Sequence, residues 1–135
     1  MGDCIFCKIV KGDIPSSMLL EGKNFYSFLD IGPVSKGHAL VVPKEHYETL
    51  TDIPDDVLAE MSKAVKTISN AINKAMNADG YNIQMNNYSA AGQVVPHAHF
   101  HIVPRFKGDG LMLWPGKRYE EGELDKIHEK IARFL

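Results

Sequence analysis

The chain has 135 residues, 44% of them apolar and 24% charged, with a formal net charge of −2. That length and balance fit one soluble domain with a sizeable core and exclude an intrinsically disordered chain. The near-neutral charge gives no electrostatic basis for nonspecific binding to nucleic acid or to a membrane surface, so a nucleotide partner would be small and held in a pocket.

From the N-terminus, MGDCIFCKIV has no basic stretch leading into a long apolar one, so no secretory leader is expected. Apolar runs such as ALVV at 39–42 are too short to span a bilayer, and the expected address is the cytoplasm. Cys4 and Cys7, the two cysteines, are spaced C-x-x-C. In a reducing compartment that spacing leaves metal ligands, a redox pair, or two thiols packed under a strand or turn.

Residues 18–21 and 25–30 flank the turn-like Glu21-Gly22-Lys23-Asn24 and predict a hairpin. HALVVP at 38–43, bounded by Lys36-Gly37 and Pro43, predicts a buried central strand. Residues 54–76 carry a helical period, with Val57, Leu58, Met61, Ala64, Val65, Ile68, Ala71, Ile72, Ala75 and Met76 on one broad face. Pro54 suits the first turn, Asp55 and Asp56 suit the positive end of the helix dipole, and Gly80 is the expected stop. YNIQMN at 81–86 and residues 97–104 predict strands, with a small-residue loop, NYSAAGQVVP, between them. A tail containing Trp114-Pro115-Gly116 leads to a shorter amphipathic helix near 120–134. Five strands with one long and one terminal helix predict an α+β domain built on an antiparallel sheet.

Three of the six histidines fall in PHAHFH, residues 96–101. On a strand, His97, His99 and His101 share one side while Ala98, Phe100 and Ile102 form the buried face. Three readings compete: an inert polar face, a three-histidine metal site, or a nucleophile or base whose neighbours set its tautomer. Gly92-Gln93-Val94-Val95 runs straight into the histidines and offers backbone N–H groups and a side-chain amide, the donors that a phosphate and its transition state require. That favours the nucleophile or base.

These residues resemble a known family. Gly92 to Arg105 is similar to the His-φ-His-φ-His-φ-φ signature of the histidine triad (HIT) superfamily, of the Hint-like branch with an N-terminal C-x-x-C. Asp3-Cys4-Ile5-Phe6-Cys7-Lys8-Ile9, Phe28-Leu29-Asp30-Ile31 and Gly37 through His46 follow the family's order and spacing. The resemblance spans residues 3–106 of a single HIT domain covering 1–135; residues 107–135 form a C-terminal extension with the terminal helix.

The resemblance implies a HIT-like fold, in a homodimer whose two five-stranded sheets join. It also implies nucleotidyl hydrolysis or transfer at an α-phosphate of a purine nucleotide. His99 becomes the nucleophile that forms a nucleotidyl-histidine intermediate, His101 binds the phosphate region, and His38 completes a relay that helps protonate the leaving group. Asn86, Gln93, the loop glycine Gly92 and the backbone around Val94 would contact phosphate oxygens, and Asp30 the ribose hydroxyls. Ile5, Phe6, Ile9, Phe28, Ile31 and Leu40 would form the apolar slot for the base.

The resemblance further implies a structural zinc ion on Cys4, Cys7, His46 and His97, a closed Cys₂His₂ set. A His97 committed to metal cannot shuttle protons. Other branches place serine or threonine where this chain has Val94. Losing that hydroxyl costs about 1–2 kcal/mol of barrier by ordinary hydrogen-bond strengths. The leading activity is a nucleoside phosphoramidase. The alternatives are a dinucleoside polyphosphate hydrolase, with Arg105, Lys107 and the loop 106–110 serving the exit, and a nucleotide- or zinc-binding interaction module with weak catalysis.

Overall fold

The computed structural model describes residues 2–135. In chain order the elements are α1 (Ile5–Lys11), β1 (Met18–Glu21), β2 (Phe25–Leu29), β3 (Ala39–Pro43), α2 (Asp55–Met76), β4 (Gly80–Gln84), β5 (Phe100–Arg105) and α3 (Glu123–Ala132). The strands form one antiparallel sheet in the order β1-β2-β3-β5-β4. The α+β architecture with a five-stranded antiparallel sheet agrees with the sequence reading.

Alternation along each strand divides the side chains between two layers. Phe25, Ala39, Val41 and Ile102 join Val57, Met61, Ala64, Val65, Ile68 and Ile72 of α2 in the larger core, with Leu29 and Phe100 packed against it. Tyr26, Phe28, Leu40 and Val42 point the other way and meet Phe6 and Ile9 of α1. HALVVP is therefore apolar at consecutive positions because both of its faces are covered. Burying each large apolar side chain of the α2 face stabilises the fold by about 1.5–3 kcal/mol.

Two boundaries and one helix stand apart from the sequence reading. Gly80 does not stop α2: Asn77, at φ 51° and ψ 46°, ends it in the left-handed conformation, and Gly80 opens β4 opposite Arg105. Asparagine adopts this geometry at modest cost because its short polar side chain bonds locally. The last strand begins at Phe100, not His97. Pro96 has no N–H for a ladder, His97 N–H turns back to Val95 O at 2.8 Å, and Ala98 N–H reaches Tyr47 O at 2.7 Å.

The third difference is α1, a helix the sequence reading missed. Cys4 caps it, accepting the Cys7 N–H at Sγ (3.5 Å), and Gly12 closes it at φ 85°. Beyond β5 the chain runs without regular structure to α3, where every residue but the half-buried Ile127 is exposed. Among the described residues no helix is long and apolar enough to cross a membrane.

Candidate active site and metal centre

His101 enters the site from β5, in register with Leu40 on β3 and Gln84 on β4. His99 and His97 precede it in an extended bend. Alternation survives without the ladder, because Ala98 still points into the α2 core and the three imidazoles gather on the α1 side. The His99 and His101 rings lie 4.7 Å apart, and those of His38 and His101 5.1 Å apart.

Backbone partners dictate the tautomer of each ring. A carbonyl can only accept, so His99 Nδ1–H donates to His97 O at 2.7 Å, and His99 Nε2 carries the lone pair. By the same argument His97 Nε2–H donates to Pro43 O at 2.8 Å, leaving Nδ1 bare. A backbone amide can only donate, so His38 Nδ1 accepts from Val34 N–H at 3.1 Å. His38 Nε2–H must then donate to His101 Nδ1 at 2.9 Å, and His101 keeps its proton on Nε2.

Burial holds all four rings neutral near pH 7. It pushes His97 and His101 down to about 4; neighbouring imidazoles add to this, and at His97 the Pro43 hydrogen bond opposes it. Burial likewise lowers His99, against its bond to His97, and His38, against the charge of Asp30.

A cleft of about 340 Å³ opens beside His99 and His101. Ile5, Phe6, Ile9, Phe28 and Leu40 form its apolar wall, with Phe6 and Phe28 edge to face at 5.7 Å. Ile31 sits at its rim, 98% exposed. Asp30, Asn86, Gly92 and Val94 complete the lining from among the residues expected at a substrate site. Asp30 Oδ1 accepts the Gly32 N–H at 2.8 Å, while Oδ2 lies 3.8 Å from His38 Nδ1. Gly92 takes φ 94°, a conformation strained for other residues, and its carbonyl meets Asn86 Nδ2 at 3.5 Å.

Gln93 is the expected residue that the structure keeps out of the cleft. Its Oε1 accepts the Tyr88 N–H and its Nε2 donates to Glu48 O, both at 2.7 Å, so the amide ties the 87–96 loop to the segment after β3. Sequence reasoning had no way to see these backbone partners. It also missed Ile14, Pro15, Ser16, Leu29 and Val95, which line the cleft. The only signal for the first three was their position just past the glycine that ends α1.

Among the described residues, no lysine or arginine lines this cleft. A second cavity, about 550 Å³, shares Asn86 with it and reaches Arg105 and residues 111–114, but contains no histidine. Its arginine is spent internally. Arg105 binds Asp109 through Nε at 2.8 Å and Nη2 at 3.1 Å, Asn82 at 2.8 Å and Leu111 O at 3.1 Å.

On the far side of His97 lies a second cluster. One donor atom each from Cys4, Cys7, His46 and His97 falls within 4.8 Å of all the others. Cys4 Sγ and Cys7 Sγ stand 3.4 and 3.6 Å from His97 Nδ1, and Cys7 Sγ stands 3.4 Å from His46 Nδ1. Zn–S near 2.3 Å and Zn–N near 2.0–2.1 Å in a tetrahedron place S and N about 3.5–3.6 Å apart. The donor set therefore fits such an ion, and the bare Nδ1 of His97 is the nitrogen that faces it. Burial, with the Cys4 hydrogen bond and charge, pushes the Cys7 thiol up, a shift that a bound cation would reverse. These four residues can hold a metal.

Comparison with known proteins agrees with this geometry. The HIT domain family matches residues 11–108. The adenosine 5'-monophosphoramidase HNT1 of Candida albicans is 42% identical over 98% of this chain and 91% of its own length. The crystal structure of a Streptococcus mutans protein superposes with a TM-score of 0.93 at 41% identity, covering 99% of this chain and 86% of that one. A zinc-bound histidine triad family protein from Mycobacterium smegmatis gives 0.77 at 38% identity, covering 99% of each. With the imidazole row, the cleft and the fold in agreement, the chain belongs to the HIT family.

Proposed function

We propose that the protein is a nucleoside phosphoramidase: a hydrolase that cleaves the P–N bond between the α-phosphate of a purine nucleotide and an amine. The observation that carries this reading is the Nδ1–H bond from His99 to His97 O, which leaves Nε2 unprotonated in a ring lining the cleft. The Nε2 lone pair forms a bond to phosphorus as the P–N bond to the amine breaks, and the departing nitrogen takes up a proton. Water then attacks the nucleotidyl-histidine, releasing the nucleoside monophosphate and restoring neutral His99. His101 donates Nε2–H to a phosphoryl oxygen, joined by the Val94 backbone N–H and by Asn86 and Gly92. Asp30 accepts from the ribose hydroxyls, and the apolar wall with Ile31 at its rim holds the base.

Leaving-group chemistry separates this from the polyphosphate alternative. A nucleotide leaving group carries negative charge and needs cations at the exit. The nearby guanidinium is already satisfied by Asp109, and among the described residues the cleft has no cationic side chain of its own. The Candida relative's name supports the same choice. Comparing turnover of an AMP–lysine conjugate and a diadenosine polyphosphate tests it: a clear preference for the conjugate supports the reading, and a preference for the polyphosphate contradicts it.

Zinc is the metal suited to Cys4, Cys7, His46 and His97, because it favours tetrahedral thiolate and imidazole ligands. When bound, it would neutralise the thiolates and clamp the segment before α1 to the histidine bend. With four protein donors no position is left for substrate, so its role is structural. A homodimer is proposed at the exposed β4 edge, where Tyr81 and Ile83 are 49% and 41% exposed and Met112, Leu113 and Trp114 add apolar surface. The chain acts as one HIT domain with its body at about 3–106 and the arm beyond it. It works in the cytoplasm, where thiol ligands stay reduced, without nucleic-acid or membrane partners.

A further inference from the structure

The polar side chains lining the cleft, among the described residues, are Ser16, Asp30, Asn86, His99 and His101. The proposed chemistry assigns the last four to ribose, phosphate and the attack on phosphorus, and leaves Ser16 without a task. A chain of ring contacts places Ser16 at the end of the cleft remote from the nucleophile. The His99 ring meets Phe6 at 5.0 Å, Phe6 meets Phe28 at 5.7 Å, and Phe28 meets Tyr26 at 6.0 Å. The Tyr26 hydroxyl then lies 2.9 Å from Ser16 Oγ. This wall is anchored, because Leu29 N–H donates to Ser17 O at 3.0 Å and ties the segment before β1 to the strand that leads into Asp30.

With phosphorus at His99 and the ribose at Asp30, the base enters the apolar end of the cleft, where Ser16 is the polar side chain that its edge can meet. A phenol is a stronger acid than an alcohol and is the better donor of the two. Tyr26 O–H therefore donates to Ser16 Oγ, and the hydrogen of Ser16 is left to turn into the cleft. We infer that Ser16 is a specificity-determining residue whose O–H, oriented by Tyr26, donates a hydrogen bond to a ring nitrogen of the bound purine. The inference deepens the phosphoramidase reading, on which it rests. Apolar walls alone hold any flat base by burial. One donor in a fixed place favours a base that offers an acceptor at that point.

Calorimetric binding of AMP and of its deaza series, in which one ring nitrogen at a time is replaced by C–H, tests this without requiring turnover. Wild type should bind one member of the series about threefold to tenfold more weakly than AMP, the effect of one neutral hydrogen bond. Ser16→Ala should bind AMP as weakly as that, and should bind that same analogue no worse than wild type does. Tyr26→Phe should weaken AMP by a smaller factor and add nothing to the effect of Ser16→Ala in the double variant. Equal wild-type affinity across AMP and the whole series overturns the inference, and so does a wild type that binds no AMP. Folded Ser16→Ala that binds AMP like wild type, or that weakens AMP and every analogue alike, overturns it as well. If the pattern holds in a wild type that cleaves no phosphoramidate, Ser16 keeps its role and the hydrolase reading falls.

Discussion

The backbone carbonyl of His97 accepts the Nδ1–H of His99 at 2.7 Å, while the side chain of the same His97 turns its bare Nδ1 towards the thiols of Cys4 and Cys7. One residue thus faces two ways: its imidazole joins the donor cluster of Cys4, Cys7 and His46, and its main chain sets the tautomer of His99. Phe6, on the helix that Cys4 caps, adds a second link, its ring edge-on to His97 at 5.8 Å and His99 at 5.0 Å.

His99→Ala removes the nitrogen proposed to attack phosphorus and leaves the apolar wall of the cleft in place. Turnover should fall by about 10³-fold or more, as for loss of other covalent nucleophiles, while AMP still binds within a few-fold of wild type by calorimetry. Residual turnover near the wild-type rate would show that another group attacks phosphorus.

Cys4→Ser with Cys7→Ser removes both thiols from the cluster and should abolish stoichiometric zinc in the purified protein. Tm should fall by at least about 4 °C, the size of shift that about 1 kcal/mol gives in a domain of this length. Some turnover should remain, since the His97 carbonyl still reaches His99. Wild-type protein without stoichiometric zinc would remove the metal from the account.

Acid should weaken the fold through the histidines. His101 has a folded-state value of about 4, below the ordinary 6.5, so between those values the unfolded chain binds more protons. The contribution of this ring to stability is complete above about pH 6.5 and is lost as pH falls towards 4. Burial also lowers His99, against its hydrogen bond to His97, so its ring is protonated less readily than a free imidazole. Measured between pH 6.5 and 8, kcat/KM should be flat with respect to histidine ionisation and decline only below. A loss centred near pH 7 would contradict the neutral rings.

Val94 lines the cleft and leaves its side chain 90% exposed. Val94→Ser should supply a hydroxyl to the departing nitrogen and raise kcat on a phosphoramidate by about tenfold, the effect of a hydrogen bond of about 1–2 kcal/mol. An unchanged or lower rate would place the leaving group elsewhere.

Legibility in the sequence followed the range of the forces involved. The face of α2 and the two-sided burial of β3 are set by side chains a few residues apart, and periodicity reveals them. The seven residues of α1 are too few for periodicity, and the thiol that caps the helix reads in the sequence as a metal ligand, a redox partner or a packed thiol, none of which signals a helix start. The start of β5 was lost because Pro96 and the His97 turn bend the chain away from the ladder, although alternation still placed the three imidazoles together. Gln93 looked like a phosphate donor until its partners, the Tyr88 amide and the Glu48 carbonyl, came from the folded loop. Tautomers were equally hidden, because each depends on a backbone group that the fold alone brings to the ring.

The central claim is that His99 Nε2 attacks phosphorus. Rapid acid-free quenching of enzyme mixed with an AMP–amine conjugate, followed by peptide mass spectrometry, reads it directly. The account predicts one AMP moiety on the peptide containing His99, formed and lost at rates consistent with turnover and absent in His99→Ala. AMP release with no such adduct, or an adduct on His101 or His38, would contradict it.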